Sequence, residues 1–385
     1  MVMLTIAVLF GGVSTEHEVS IITGVQILNV LDKSKYKVIP IYITKDGKWV
    51  KGDESFYKAE TFRNFEKAIE KQEFKFISPD PLINYLVDKP QGYTFLKPLV
   101  KEQIDVVFPA FHGRIGEDGS IQGLLEMANI AYVGCGVTAA AIGMDKMLSK
   151  RVAQSINIPV LPANWINNKD NWKIVKEGLK YPIYVKPVHL GSSIGIKRVN
   201  NDEELKEALD VSFFYDTKVI VEEGIKDAKE VNISLLGNNP YKISVCEQPV
   251  SSSDTLSFED KYIAGSGPSK GMATLKRIIP APIKKTTEQK IQDYAVRFFS
   301  EIGGEGIVRM DFLLSKDEKH VYLNEINTMP GSISFYLWEK NGLKMQELID
   351  ELIGLAIARQ KKKEKLNTTF KSNILEGFGG AKGKA

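Results

Sequence analysis

Leu4 to Phe10 reads LTIAVLF, without a single charge, and Gly11-Gly12 follow at once. A strand that is apolar at consecutive rather than alternate positions has both faces covered. That is how a central strand of a parallel sheet reads. Val19 to Leu31 then places Ile21, Val25, Leu28 and Leu31 at helical spacing. Strand, glycine turn and helix together open an α/β unit. VIPIYIT (38–44) and IDVVFPAF (104–111) read as further buried strands, with a polar, irregular stretch at 45–103 that looks like an insertion.

The rest of the chain changes character. A helix is expected over 146–156, a strand at YPIYVKPV (181–188), a short amphipathic helix at 202–209, and antiparallel strands at 218–223, 231–237 and 241–245. Residues 250–275 are rich in Ser, Gly and Asp without periodicity, which reads as a long loop. A long helix over 286–302 precedes a hairpin formed by IVRMDFLL (307–314) and HVYLNEI (320–326). A length of 385 residues suits two or three domains.

Charge excludes one large class. Residues 359–385 carry +6, and the other 358 sum to −3. A basic tail, expected to be a solvated helix end over 359–371 and frayed beyond 377, is not the basic face of a nucleic-acid protein. Two cysteines make no disulfide framework. No Lys or Arg precedes Lys33, and no apolar run reaches the ~18 residues that span a bilayer. The expectation is a cytoplasmic protein without membrane or nucleic-acid partners.

Four constellations carry chemistry. Residues two apart in a strand share a face, so Arg309 with Asp311, and Glu325 with Asn327, would present a guanidinium, two carboxylates and an amide together. Such oxygen ligands suit Mg²⁺ when phosphates complete its shell. The alternative is a solvated edge with a salt bridge. In KPVHLGSSIG (186–195) a strand delivers a lysine into a small-residue loop, which is a phosphate cradle or a plain turn. HGRIGEDGS (112–120) follows a buried strand, where α/β proteins bind ligands, although Asp118 or Ser120 also makes a helix cap there. In GGVSTEHEV, Glu16 sits near a helix start, where a carboxylate is favoured in any case. The two acids and the histidine of that stretch also suit a ligand ammonium.

GGVSTEHEVS, HGRIGEDGS, MDK (144–146), KPVHLGSSIGI, DKY (260–262), RMD and NEINTMPGS occur in this order. Together they resemble the D-alanine–D-alanine ligases of the ATP-grasp superfamily over roughly residues 4–345. The resemblance implies a three-domain α/β fold: a parallel-sheet substrate domain at 1–137, then two ATP-grasp α+β domains at 138–225 and 226–360, and a basic tail at 361–385. It implies a ligase that joins two D-alanines through an acyl phosphate for peptidoglycan synthesis. The partners would be ATP and D-alanine, with two Mg²⁺ ions replaceable by Mn²⁺ and a homodimer through the first domain.

Residue by residue, the resemblance puts Lys146 and Lys186 at the ATP phosphates, Ser193 in the ATP site, Glu222 and Ile225 at adenine with Glu223 beside them, and Glu230 at the ribose. Asn324 joins the ATP site, and Lys261 reaches the γ-phosphate from the 250–275 lid. Asp311, Glu325 and Asn327 would hold metal. Arg309 and Gly331 would stabilise the tetrahedral intermediate, Glu16 would anchor the first substrate's ammonium, and His112 would lie close by. Ser192 would link Glu16 to Tyr262, a tyrosine that goes with D-alanine rather than D-lactate as second substrate. After Gly331 the chain reads SISFYLWE where many relatives are longer. Ser332 and Ser334 are the alternatives for holding the second substrate's carboxylate. The other alternative is a related carboxylate–amine ligase with a different second substrate.

Overall fold

The computed structural model describes residues 3–64, 73–83, 85–88, 102–250, 277–370, 372 and 374. Strand Leu4–Gly11 lies between Tyr36–Ile43 and Val106–Pro109 and is parallel to both, and Ala131–Tyr132 continues the parallel order. Its side chains split between two cores. Ile6, Val8 and Phe10 face helix His17–Val30, while Ala7 and Leu9 pack with Ile121 and Leu125 of helix Ser120–Met127. Cover on both faces is the physical reason for the uninterrupted apolar run.

The described parts of the 45–103 stretch hold more regular structure than the sequence suggests. Strands Trp49–Lys51, Glu73–Ile77, Tyr85–Asp88 and Glu102–Gln103 add antiparallel neighbours and extend the sheet to eight strands. Each has only two to five residues, too few to display a period, yet Val50, Ile77 and Leu86 are buried.

Two four-stranded sheets follow. The middle one orders Lys197–Val199, Ile183–Pro187, Val219–Glu223 and Ala163–Ile166, all antiparallel, around a core of its own. Helix Asp202–Tyr215 covers it, capped by Asn201 and carrying Asp202, Glu203 and Glu204 in its first turn, where acids are favoured. The next orders Lys242–Ile243, Lys229–Gly237, Gly306–Leu314 and Val321–Asn327, packed on helix Lys285–Glu301. The expected hairpin is therefore present.

The last helix, Met345–Lys363, returns to the first sheet and buries Arg359 and Gln360, while Lys361, Lys362 and residues 364–370 are exposed, as expected of a solvated helix end. Leu348, Leu352 and Ile353 share a core with Ile6 and Phe10. Arg359 is buried and donates to the carbonyls of Tyr132 (2.6 Å) and Gly134 (2.7 Å), while Lys363 pairs with Glu126. A basic residue on a helix face is easily taken for a solvated one; here two backbone acceptors compensate its burial. Residues 375–385, which include all of the segment expected to fray, lie outside the described residues. Among the described residues no helix is long and apolar enough to cross a membrane.

Candidate functional site

A cavity of about 730 Å³ opens between the middle and third sheets. Lys146, Lys186, Ser193, Glu222, Glu223, Ile225, Glu230 and Asn324 all line it, as do Asp311 and Glu325. Lys146 is placed by a helix that Asp145 caps, its carboxylate accepting from Met147 N and Leu148 N at 2.9 Å. Lys186 comes from strand Ile183–Pro187, opposite Val219–Glu223, which carries Glu222.

Buried charges here are matched in place. Glu222 accepts from Lys186 with one oxygen and pairs with Lys150 (2.8 Å) through the other. Burial pushes the Glu222 carboxyl up, but the two lysines outweigh that and hold it at about 2. Burial lowers the Lys150 ammonium, and Glu222 offsets this only in part. Lys150 is not among the residues that sequence reading singles out. It follows Lys146 by one helical turn and so shares its face, and that spacing was the available signal. Lys146 itself donates to Leu190 O and lies 3.4 Å from Glu325.

The hairpin pairs Arg309 with Asn327 and Asp311 with Glu325. Arg309 grips Asp311 bidentately (2.7 and 2.8 Å), and Asn327 Nδ2 donates to Asp311 at 3.2 Å. Arg309 and Asp311 are both buried, so the solvated-edge alternative is excluded for them. Two carboxylates and an amide oxygen are a hard, oxygen-only donor set and fit Mg²⁺. Among the described residues no three His, Cys, Asp or Glu side chains converge on one point.

A second cluster lies where the first sheet's loops meet the Gly-Ser loop. Ser192 donates to Glu16 Oε1. Gly113 and Gly191 crowd that carboxylate, and a Cβ on Gly113 would come within 2.5 Å of Oε2. His112 is buried, its Nε2 2.7 Å from Thr23 Oγ1, and burial lowers its imidazole to about 4, hence neutral. Glu117, also missed by sequence reading although it stands inside HGRIGEDGS, accepts from Gly113 N (2.8 Å) and from Met329 N (3.0 Å) of the third sheet's loop. Loss of hydration, reinforced by the Glu16 charge, raises its carboxyl to about 8.

Gly331 begins a turn in which Ser332, Ile333 and Ser334 all have φ near +50°. Such a run is strained backbone, of the kind found where chemistry or binding requires it. Ser332 N donates to Thr23 Oγ1 at 3.2 Å. The buried hydroxyls of Ser332 and Ser334 have no partner among the described residues. The structure therefore brings Glu16, His112, Ser192, Ser332 and Ser334 into one region linked through Thr23 and Ser14, the latter donating to His112 O at 2.9 Å. Lys261, Tyr262 and the 250–275 lid, apart from residue 250, lie outside the described residues.

Comparison with known proteins points to one family. The model of the D-ala D-ala ligase N-terminus matches residues 5–135, and that of the D-ala D-ala ligase C-terminus matches residues 151–354. The chain is 39% identical over 379 residues to a D-alanine–D-alanine ligase of Thermosipho africanus, covering 97% of this chain and 99% of that one. It is 38% identical over 381 residues to that of Bacillus cytotoxicus, covering 96% and 100%. Among solved structures it resembles the D-alanine-D-alanine ligase of Coxiella burnetii (TM-score 0.75, 30% identity, 94% and 96% covered). It also resembles the VanG D-Ala:D-Ser ligase of Enterococcus faecalis (TM-score 0.78, 30% identity, 92% and 100% covered).

Proposed function

The chain belongs to the D-alanine–D-alanine ligase family, and from that premise we infer that it joins two D-alanine molecules with cleavage of ATP, supplying the dipeptide for peptidoglycan. One observation carries the reading at residue level: all expected nucleotide residues within the described chain line a single cavity between two sheets. The division we adopt is 1–137 for substrate, 138–225 and 226–360 for ATP, with 361–385 as a tail.

Lys146, Lys186 and Ser193 hold the ATP phosphates, Glu222, Glu223 and Ile225 the adenine, and Glu230 the ribose, with Asn324 beside them. Asp311, Glu325 and Asn327 would hold Mg²⁺. The metal, when bound, neutralises phosphate charge and so eases transfer of the γ-phosphoryl group. Glu16, kept in place by Ser192, anchors the ammonium of the first D-alanine, with His112 close by. That substrate's carboxylate attacks the γ-phosphate and becomes an acyl phosphate, and ADP leaves. The free amine of the second D-alanine attacks the acyl carbon. Arg309, pointed by its bidentate grip on Asp311, and the Gly331 N–H donate to the oxyanion that develops. Collapse expels phosphate. The unpartnered hydroxyls of Ser332 and Ser334 suit the second carboxylate, since an acceptor there removes the penalty of burying them unsatisfied. Lys261 and Tyr262 we assign to a lid that excludes water and favours D-alanine over D-lactate.

The test is phosphate release from ATP and Mg²⁺ with a panel of D-alanine, D-serine, D-lactate and L-alanine. Release with D-alanine alone, yielding a D,D-dipeptide, is the expected result. Equal turnover with L-alanine overturns the stereochemical assignment, and preferential use of D-serine in the second position replaces the second substrate.

A further inference from the structure

His189 stands in the Gly-Ser loop, three residues after Lys186, and no role in the reaction described above falls to it. Its two ring nitrogens face two different carboxylates. Nε2 lies 3.3 Å from Asp145, and Nδ1 lies 3.0 Å from Asp216, whose Oδ2 also accepts from His189 N at 2.7 Å. A neutral imidazole has one bare nitrogen, and either tautomer would turn a lone pair onto a carboxylate. Only the doubly protonated ring donates to both.

The carboxylates belong to different elements. Asp145 caps the helix that begins with Lys146, and Asp216 ends helix Asp202–Tyr215. One further charge faces the group: Lys218, at the start of strand Val219–Glu223, donates to Asp145 at 2.8 Å and lies over the Trp165 ring. The cluster thus balances two cations against two anions. It ties the backbone of the Gly-Ser loop to the helix terminus that aims Lys146.

We propose that His189 is a positioning residue that fixes the two halves of the phosphate cradle, the Lys146 helix terminus and the Gly-Ser loop, against each other. This rests on the assignment of that cradle to ATP. The two aspartates raise the imidazole to about 9, so the clamp is closed at neutral pH and opens as pH rises through that value. Burial pushes the Asp145 and Asp216 carboxyls up, but hydrogen bonds from His189 and Lys218 outweigh it and keep both below their ordinary value, so they do not titrate in that range.

The experiment is calorimetric titration of the full-length protein with ATP and Mg²⁺, on wild type, His189→Gln and His189→Arg, from pH 7 to 10. A thermal melt of each protein runs alongside. His189→Gln is expected to weaken ATP binding roughly tenfold at pH 7.5, the loss of about one charge-assisted bond. His189→Arg is expected to recover most of it. Wild-type affinity should fall through about pH 9, and the arginine variant should lack that fall. Unchanged ATP affinity in His189→Gln overturns the proposal. So does a loss that arginine does not recover together with a lowered melt, which is the mark of a merely structural residue. If the glutamine variant does not fold, Asp216→Asn leaves the ring a single carboxylate and is read by the same criteria. Because the readout is ATP binding by the variants relative to wild type, the result stands apart from the ligase reading, whose failure shows separately as a wild type that makes no D,D-dipeptide.

Discussion

The nucleotide cleft and the substrate corner handle buried charge in opposite ways. In the cleft three carboxylates are paired within the protein: Glu222 by Lys150 and Lys186, Asp311 by Arg309, Glu325 by Lys146. In the corner, burial and the charge of Glu16 raise Glu117, His112 is kept neutral, and two serine hydroxyls lack partners among the described residues. On the roles proposed above, the difference follows from what each region receives. ATP brings several negative charges that can exchange into existing ion pairs, whereas D-alanine brings one ammonium and one carboxylate. A corner left electrically incomplete gains most from that ligand, since desolvation already suffered is not suffered again on binding.

Three substitutions probe the contrast, in descending order of effect. Arg309→Met removes an oxyanion donor and strands Asp311. A kcat lower by about 10²–10³ is expected, with a lower melting temperature of the unliganded protein, because removing one partner leaves the other charge buried and uncompensated. Steady-state kinetics and a thermal melt check both. Lost turnover with an unchanged melt would mean that the cleft is not balanced by its own pairs.

Glu16→Gln should do the reverse in the corner. The KM for the first D-alanine rises roughly a hundredfold, the scale of a lost charged hydrogen bond. Unliganded stability holds or increases, because the repulsion with Glu117 disappears. A destabilised variant would contradict the contrast directly.

The smallest effect is in pH dependence. Folding raises Glu117 from 4.5 to about 8, so the native state keeps a proton that the unfolded chain releases; this contribution is present below 4.5 and lost as pH climbs to 8. Folding lowers His112 from 6.5 to about 4, so its contribution is lost as pH falls from 6.5 to 4. From about 4.5 to 6.5 the two oppose each other. Glu117→Gln should therefore uncover a rise in stability across that interval and abolish the decline above it. Denaturation at stepped pH values checks this, and curves parallel to wild type would refute it.

These predictions also mark what the sequence discloses. Motif residues such as Arg309, Asp311 and Lys186 are legible because chemistry restricts both type and spacing. Charges inside apolar strands announce that something compensates them. Lys150, Glu117 and His189 act through partners far away in sequence, Glu117 through Met329 and Lys150 through Glu222. Residue type alone leaves a lysine on a helix or an acid in a loop solvated by default. The fold shows the same division. The buried strand Leu4–Gly11 declares itself by its run, while the edge strands after residue 45 are too short to show alternation. Arg359 reads as tail because its acceptors lie 225 and 227 residues earlier.

That return of the last helix to the first sheet has a consequence for synthesis. Ile6, Val8 and Phe10 leave the ribosome long before Leu348, Leu352 and Ile353, which form part of their cover. At roughly 5–20 residues per second, one face of the opening sheet waits roughly 20–70 s for its final partner. The middle sheet, whose core runs only from Ile166 to Val221, is complete long before. The nascent chain should thus fold from its middle outward. A ribosome arrested just after residue 340 has emerged should hold residues 163–223 resistant to protease while residues 4–43 remain open to cleavage. Equal protection of both would show that the first sheet closes without its last helix.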